Sequence, residues 1–169
     1  MNSNPNTFPL RPLLVGIAAI ALTTLVFDRA RAGGGNFYPP VSDPVVVEEC
    51  GGCHMAFPAA LLPARSWQAM MADLGNHFGE DASLDADTNA RITRYLTDNA
   101  GDRGGQRYAG KLFRGLSASQ APLRITELPK WVKEHRELTP REWAAPEVKT
   151  KANCVACHRD AERGFFEDD

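Results

Sequence analysis

Cysteine and histidine are scarce in this chain, four of each among 169 residues, and methionine is as rare. Neither sign of charge dominates: 19 Lys and Arg stand against 21 Asp and Glu. That balance removes the basic surplus expected of a nucleic-acid-binding protein. No apolar run reaches the roughly 20 residues that a membrane-spanning helix needs. The longest, LLVGIAAIALTTLVF, covers residues 13–27 only. There is no phosphate-binding glycine loop and no Ser-His-Asp set, and only one short motif is repeated. No alternation of strands and helices surrounds the cysteines, as a thioredoxin-like redox pair would require.

The short apolar run suits a different purpose. Arg11 precedes it, and Ala30-Arg31-Ala32 follows as an A-x-A cleavage site, the layout of a secretory signal. Residues 1–32 are therefore expected to be a signal peptide that exports the chain. An uncleaved anchor is the alternative, because Asp28 and Arg29 stand between the run and the site. Cleavage would leave 137 residues (169 less 32) and, with Arg11, Arg29, Arg31 and Asp28 gone, a net charge of 16 less 20, or −4. Export also means an oxidising compartment, where unoccupied thiols do not last.

The scarce residues are concentrated. All four cysteines and half the histidines lie in CGGCH (residues 50–54) and CVACH (residues 154–158). Two disulfides are permitted by the compartment, but Cys-x-x-Cys pairs rarely close structural bridges. A zinc site with two Cys-x-x-Cys knuckles has suitable local spacing but leaves the histidine after each pair unexplained. Covalent c-type haem attachment uses all the fixed positions. Two thiols three apart lie on one side of a helical turn, and the next residue carries an imidazole to the iron. The expectation is two haem c groups, tethered by Cys50 and Cys53 and by Cys154 and Cys157, with His54 and His158 as axial ligands. Covalent cofactors also answer a size problem. Two lobes cut from 137 residues lie near the lower limit for a self-sufficient core, so the apo chain is expected to be largely unfolded.

Each iron then needs one more ligand, and His77 and His135 are the only other histidines. The rivals are Met55, Met70 and Met71. Met55 adjoins the first motif too closely to fold back across the ring. Met70 and Met71 fall with Trp67 and Leu74 on one helical face, the pattern of a core stripe. The second half of the chain has no methionine. Neighbours in sequence suggest His54 with His77 and His135 with His158; a crossed arrangement is open at this level.

The expected fold is mostly α. VVVEECGGCHMAF has β-prone composition, which haem attachment would override in favour of a helix. LPARSWQAMMADL reads as a helix that Ser66 could cap. SLDADTNARITRYLTDNAG is the clearest helix, with Ile92, Tyr95, Leu96 and Asn99 along one side and Gly101 past its end. GDRGGQRYAGK is a loop and the expected boundary between lobes 33–105 and 106–169. LPKWVKEHREL predicts a short helix with Trp131, Val132 and His135 on one face. TPREW is a capping box on Thr139 and Glu142 with Pro140 at the first helical position. Trp131 and Trp143 are expected to be core flanking a haem.

CGGCH, LPARSWQAMM, HFGEDASLD, RITELPKW, ANCVACH and AERGFFEDD together resemble the small periplasmic dihaem cytochromes c of proteobacteria, collinearly over residues 45–169. The resemblance implies bis-histidine ligation, with His77 in the place usually held by methionine. It implies a first lobe like a monohaem class I cytochrome c and a second like a multihaem cytochrome module. It also implies redox partners: an oxygen-binding monohaem cytochrome and a b-type membrane cytochrome. The function expected is transfer of single electrons by two low-potential haems. The competing reading is a dihaem enzyme, a peroxidase or sulfur-compound oxidase with one catalytic haem.

Overall fold

The computed structural model describes residues 37–104 and 109–167, which fall within one compact unit. The expected signal peptide, residues 1–32, lies outside the described residues, as does the 105/106 boundary. The described chain is mostly helical: α1 Pro44–Gly51, α2 Ala64–Met71, α3 Ala86–Asp98, α4 Ala109–Leu112, α5 Pro129–Glu134 and α6 Pro140–Trp143. Five single 3₁₀ turns join them. No strand forms among the described residues; there are two isolated bridges, Phe37 with Phe165 and His77 with Glu80.

The valine-rich stretch before the first motif is a helix, as expected, and its cap explains why. The Asp43 carboxylate accepts the Val45 N–H at 2.9 Å, and Pro44 sits at the first position, where its missing N–H costs nothing. Asp43 also takes a two-pronged contact from Arg91 of α3 at 3.0 and 3.2 Å, and Val46 is buried. Cap and packing together outweigh β propensity.

α2 and α3 form the central helix pair. Trp67 and Met71 of α2 are buried, with Met70 and Leu74 packed partly against the same core, as the core-stripe reading anticipates. The Trp67 indole N–H donates to the Ala59 carbonyl at 2.7 Å. Ser66 does not cap α2. The helix begins one turn earlier, after Pro63, and its first N–H, that of Ala64, donates to Asp102 at 2.8 Å. The Ser66 hydroxyl is buried without a partner among the described residues. In α3, Asp85 caps Asp87 and Thr88 at 3.0 Å each. Ile92 and Leu96 are buried, whereas Asn99 is exposed at the C-cap and turns back to the Tyr95 carbonyl at 2.8 Å. Beyond it the Gly101 N–H donates to Leu62 at 3.1 Å.

The later elements are short, yet they share this core: Leu112 and Leu128 belong to one cluster with Val46, Leu62, Trp67 and Ile92. α6 has the expected capping box, with the Thr139 N–H donating to Glu142 at 2.7 Å and the Glu142 N–H to the Thr139 hydroxyl at 3.3 Å. Val132 on the same helix as Trp131 is 53% exposed, whereas the Trp131 and His135 rings stack on one another. Trp131 and Trp143 are half-buried, and Trp131 packs against the core cluster. The stretch around Gly164 packs against Phe37 and Tyr38. The Tyr38 N–H donates to Gly164 at 2.8 Å, and Phe37 packs on Phe165 at 4.9 Å.

Candidate functional site

The first motif leaves the end of α1, so Cys50 occupies the last helical turn and Cys53 and His54 follow it directly. Cys50 is half-buried; Cys53 and His54 are exposed. The His54 ring lies 4.8 Å from Phe57, and its Nδ1 donates to the Met55 carbonyl at 2.8 Å. His77 arrives from the opposite side. It follows the 3₁₀ turn Leu74–Asn76 and exchanges backbone hydrogen bonds with Glu80 at 2.8 and 3.2 Å. The residues between them, Phe78 and Gly79, have φ of 58° and 104°, which makes a tight two-residue turn of the primed kind.

The second motif wraps a 3₁₀ turn, Cys154–Ala156. The Asn153 amide donates to the carbonyls of Glu147 and Val148 at 3.0 Å each, and the His158 N–H to Cys154 at 2.8 Å. The His158 Nδ1 donates to the Glu167 carbonyl at 3.1 Å. His135 stands at the C-cap of α5. Its ring stacks on Trp131 at 4.1 Å and 13°, and its Nδ1 donates to the Trp131 carbonyl at 2.9 Å.

At each site two imidazole rings lie close together, tilted by 34° in the first and 79° in the second. The ring centres of His54 and His77 are 6.2 Å apart, and those of His135 and His158 are 6.1 Å apart. An imidazole nitrogen lies about 1.1 Å from its ring centre and bonds a metal at about 2 Å, so two rings on one metal ion sit roughly 6 Å apart. The pairs are those adjacent in sequence. The tautomers suit the same purpose: when Nδ1–H donates to a carbonyl, as in His54, His135 and His158, Nε2 is the nitrogen left to ligate. Burial, then the His54 and Arg124 charges, hold His77 below the ordinary histidine pKa, favouring the neutral, ligating form.

The other sequence readings fare worse. The four cysteines are unbridged thiols. Among the described residues no three His, Cys, Asp or Glu side chains gather as a metal cluster, so the two Cys-x-x-Cys pairs do not converge on a zinc site. Burial, with Glu49 adding to it, raises the Cys50 thiol. Burial, then Cys157, pushes Cys154 up to about 11. Redox-active thiols need the reverse shift. Met71 is buried in the core, and Met70 lines an open cavity of about 320 Å³ beside His77. That cavity shows what the sequence did not: Arg124 and Leu123, from the second half, border the His77 turn.

Residues 46–166 match the dihaem cytochrome c family. The chain belongs to that family. As a member it carries two c-type haems and has a haem-based electron-transfer role. It is 51% identical to the diheme cytochrome c from Rhodobacter sphaeroides, over 76% of this chain and 99% of that one, with a TM-score of 0.68. A diheme cytochrome type c from Shewanella baltica OS155 is 37% identical over 73% of this chain and 86% of that one, with a TM-score of 0.59. No protein of curated function matches. The mostly helical fold expected from the sequence agrees with these structures.

Proposed function

We propose that this dihaem cytochrome c is a periplasmic carrier of single electrons in which every axial position is filled by histidine. Cys50 and Cys53 would hold the first haem and Cys154 and Cys157 the second, through their thiols. His54 and His77 clamp the first iron, His135 and His158 the second. The observation that carries this reading is the two pairs of neighbouring imidazoles, with ring centres 6.2 and 6.1 Å apart, each pair including the histidine of a Cys-x-x-Cys-His motif.

When bound, each haem supplies a one-electron iron couple. The protein residues decide what that couple is used for. Two histidines per site leave no position for oxygen or peroxide, which disfavours a peroxidase or a sulfur-compound oxidase. Histidine in place of methionine sets a lower potential than in His/Met cytochromes c. The carbonyls of Met55, Trp131 and Glu167 strengthen this by making their imidazoles more basic.

Residues 1–32 serve as the export signal in this proposal. The mature net charge of −4 favours basic redox partners, with association that slows as salt rises. An oxygen-binding monohaem cytochrome and a b-type membrane cytochrome are the partners proposed. Alkaline pyridine spectra of the purified holoprotein should count two c-type haems per chain. A count of one would remove a ligand pair from use, and a count of zero would sink the reading.

A further inference from the structure

We propose that Arg124 is a positioning residue that the second half of the chain contributes to the first haem site, its guanidinium holding the turn that presents His77. The proposal rests on the ligation reading above. Phe78 has φ of 58°, a region that a bulky side chain occupies only when its surroundings fix it. Its ring is 43% exposed, so core packing does not do this. The Arg124 guanidinium adds to the two backbone hydrogen bonds between His77 and Glu80, lying 3.9 Å above the ring centroid, well inside the range of a cation–π contact. The other side of the residue is the ligand itself, with the His77 ring 4.8 Å from that of Phe78. Displacing Phe78 would therefore displace His77.

Arg124 is itself held. Its carbonyl accepts the Glu127 N–H at 3.1 Å, and its side chain pairs with Glu127 at 3.8 Å. It leads directly into the 3₁₀ turn Ile125–Glu127, which packs on α5, the helix that ends at His135. A single short stretch of chain thus touches the His77 turn at one end and carries the second site's ligand at the other. The guanidinium also places positive charge beside His77, which favours the reduced state of that iron.

The test uses the holoprotein, with His77→Ala identifying which haem is which. Arg124→Ala should raise the carbon monoxide affinity of the reduced His77 haem about two- to fivefold, the size of an exposed cation–π contact. It should also shift that haem's redox equilibrium about threefold toward the oxidised form, or roughly 28 mV at 59 mV per tenfold. The other haem should not move. Arg124→Lys should restore the potential. Phe78→Leu keeps the charge and the turn's backbone demand but loses the ring face, so it should raise carbon monoxide affinity alone. Combined with Arg124→Ala it should add nothing further to that affinity. If His77→Ala opens one iron but Arg124→Ala leaves its affinity and potential unchanged, or moves both haems alike, the positioning role is overturned while the ligation reading stands. If His77→Ala opens neither iron, the ligation reading fails and this proposal with it.

Discussion

His77→Ala should turn one of the two haems from a low-spin, closed iron into one that binds carbon monoxide, and leave the other as it was. His135→Ala should do the same to the opposite haem. The independence follows from geometry, because each histidine neighbours only the imidazole of its own motif, 6.2 Å away in one site and 6.1 Å in the other. The magnitude follows from how much a ligand contributes. Loss of an outer-sphere partner alone costs about 10–100-fold in metal affinity, so loss of the ligand should raise exogenous ligand affinity by more than roughly 100-fold. The variants should fold, since both histidines are only half-buried and their turns are held by backbone bonds. Absorption spectra of the reduced variants under carbon monoxide check this. Methionine ligation at the first site would leave both haems closed in His77→Ala, and a crossed arrangement would open the haem tethered by Cys154 and Cys157 instead of the one tethered by Cys50 and Cys53.

The second large effect concerns stability, and it falls on a residue far from either ligand pair. Gly164 has φ of 89°, and a methyl group there would sit 2.1 Å from the Tyr38 carbonyl oxygen and 3.1 Å from the Phe37 ring. Backbone atoms cannot yield as a flexible side chain would. Gly164→Ala therefore combines the left-handed penalty of about 1–2 kcal/mol with overpacking of about 1–3 kcal/mol. The contact that must part is the 2.8 Å hydrogen bond from Tyr38 to Gly164, and with it the Phe37–Phe165 and Tyr38–Phe166 ring contacts. Denaturant unfolding of the holoprotein should show a loss of about 2–5 kcal/mol. Because the ring of His158 lies 5.9 Å from Phe166, the second haem's spectrum should broaden before the first's does. A variant as stable as the parent would show that the contact between Tyr38 and Gly164 does not hold the fold together.

The sequence was most informative where chemistry is local. The two Cys-x-x-Cys-His motifs and the Thr139–Glu142 box involve residues within a few positions of one another, and spacing alone reveals them. It misled where a distant residue performs a local job. Ser66 looked like the α2 cap because it is the nearest hydroxyl, but the cap comes from Asp102, 38 residues away. The Arg124–Phe78 contact and the close approach at Gly164 have no signal in spacing or composition, because both depend on how the second half folds back over the first. The ligand pairing was open for the same reason: the two candidate arrangements have identical composition and differ only in tertiary placement.

Electron spin resonance of the oxidised holoprotein at low temperature, read with its near-infrared spectrum, bears most directly on the claim that four histidines fill both irons. The account predicts two low-spin ferric centres, no high-spin signal, and no absorption band from iron–methionine bonding. A high-spin centre in the untreated protein, or a methionine band that disappears on replacing Met70, would contradict it.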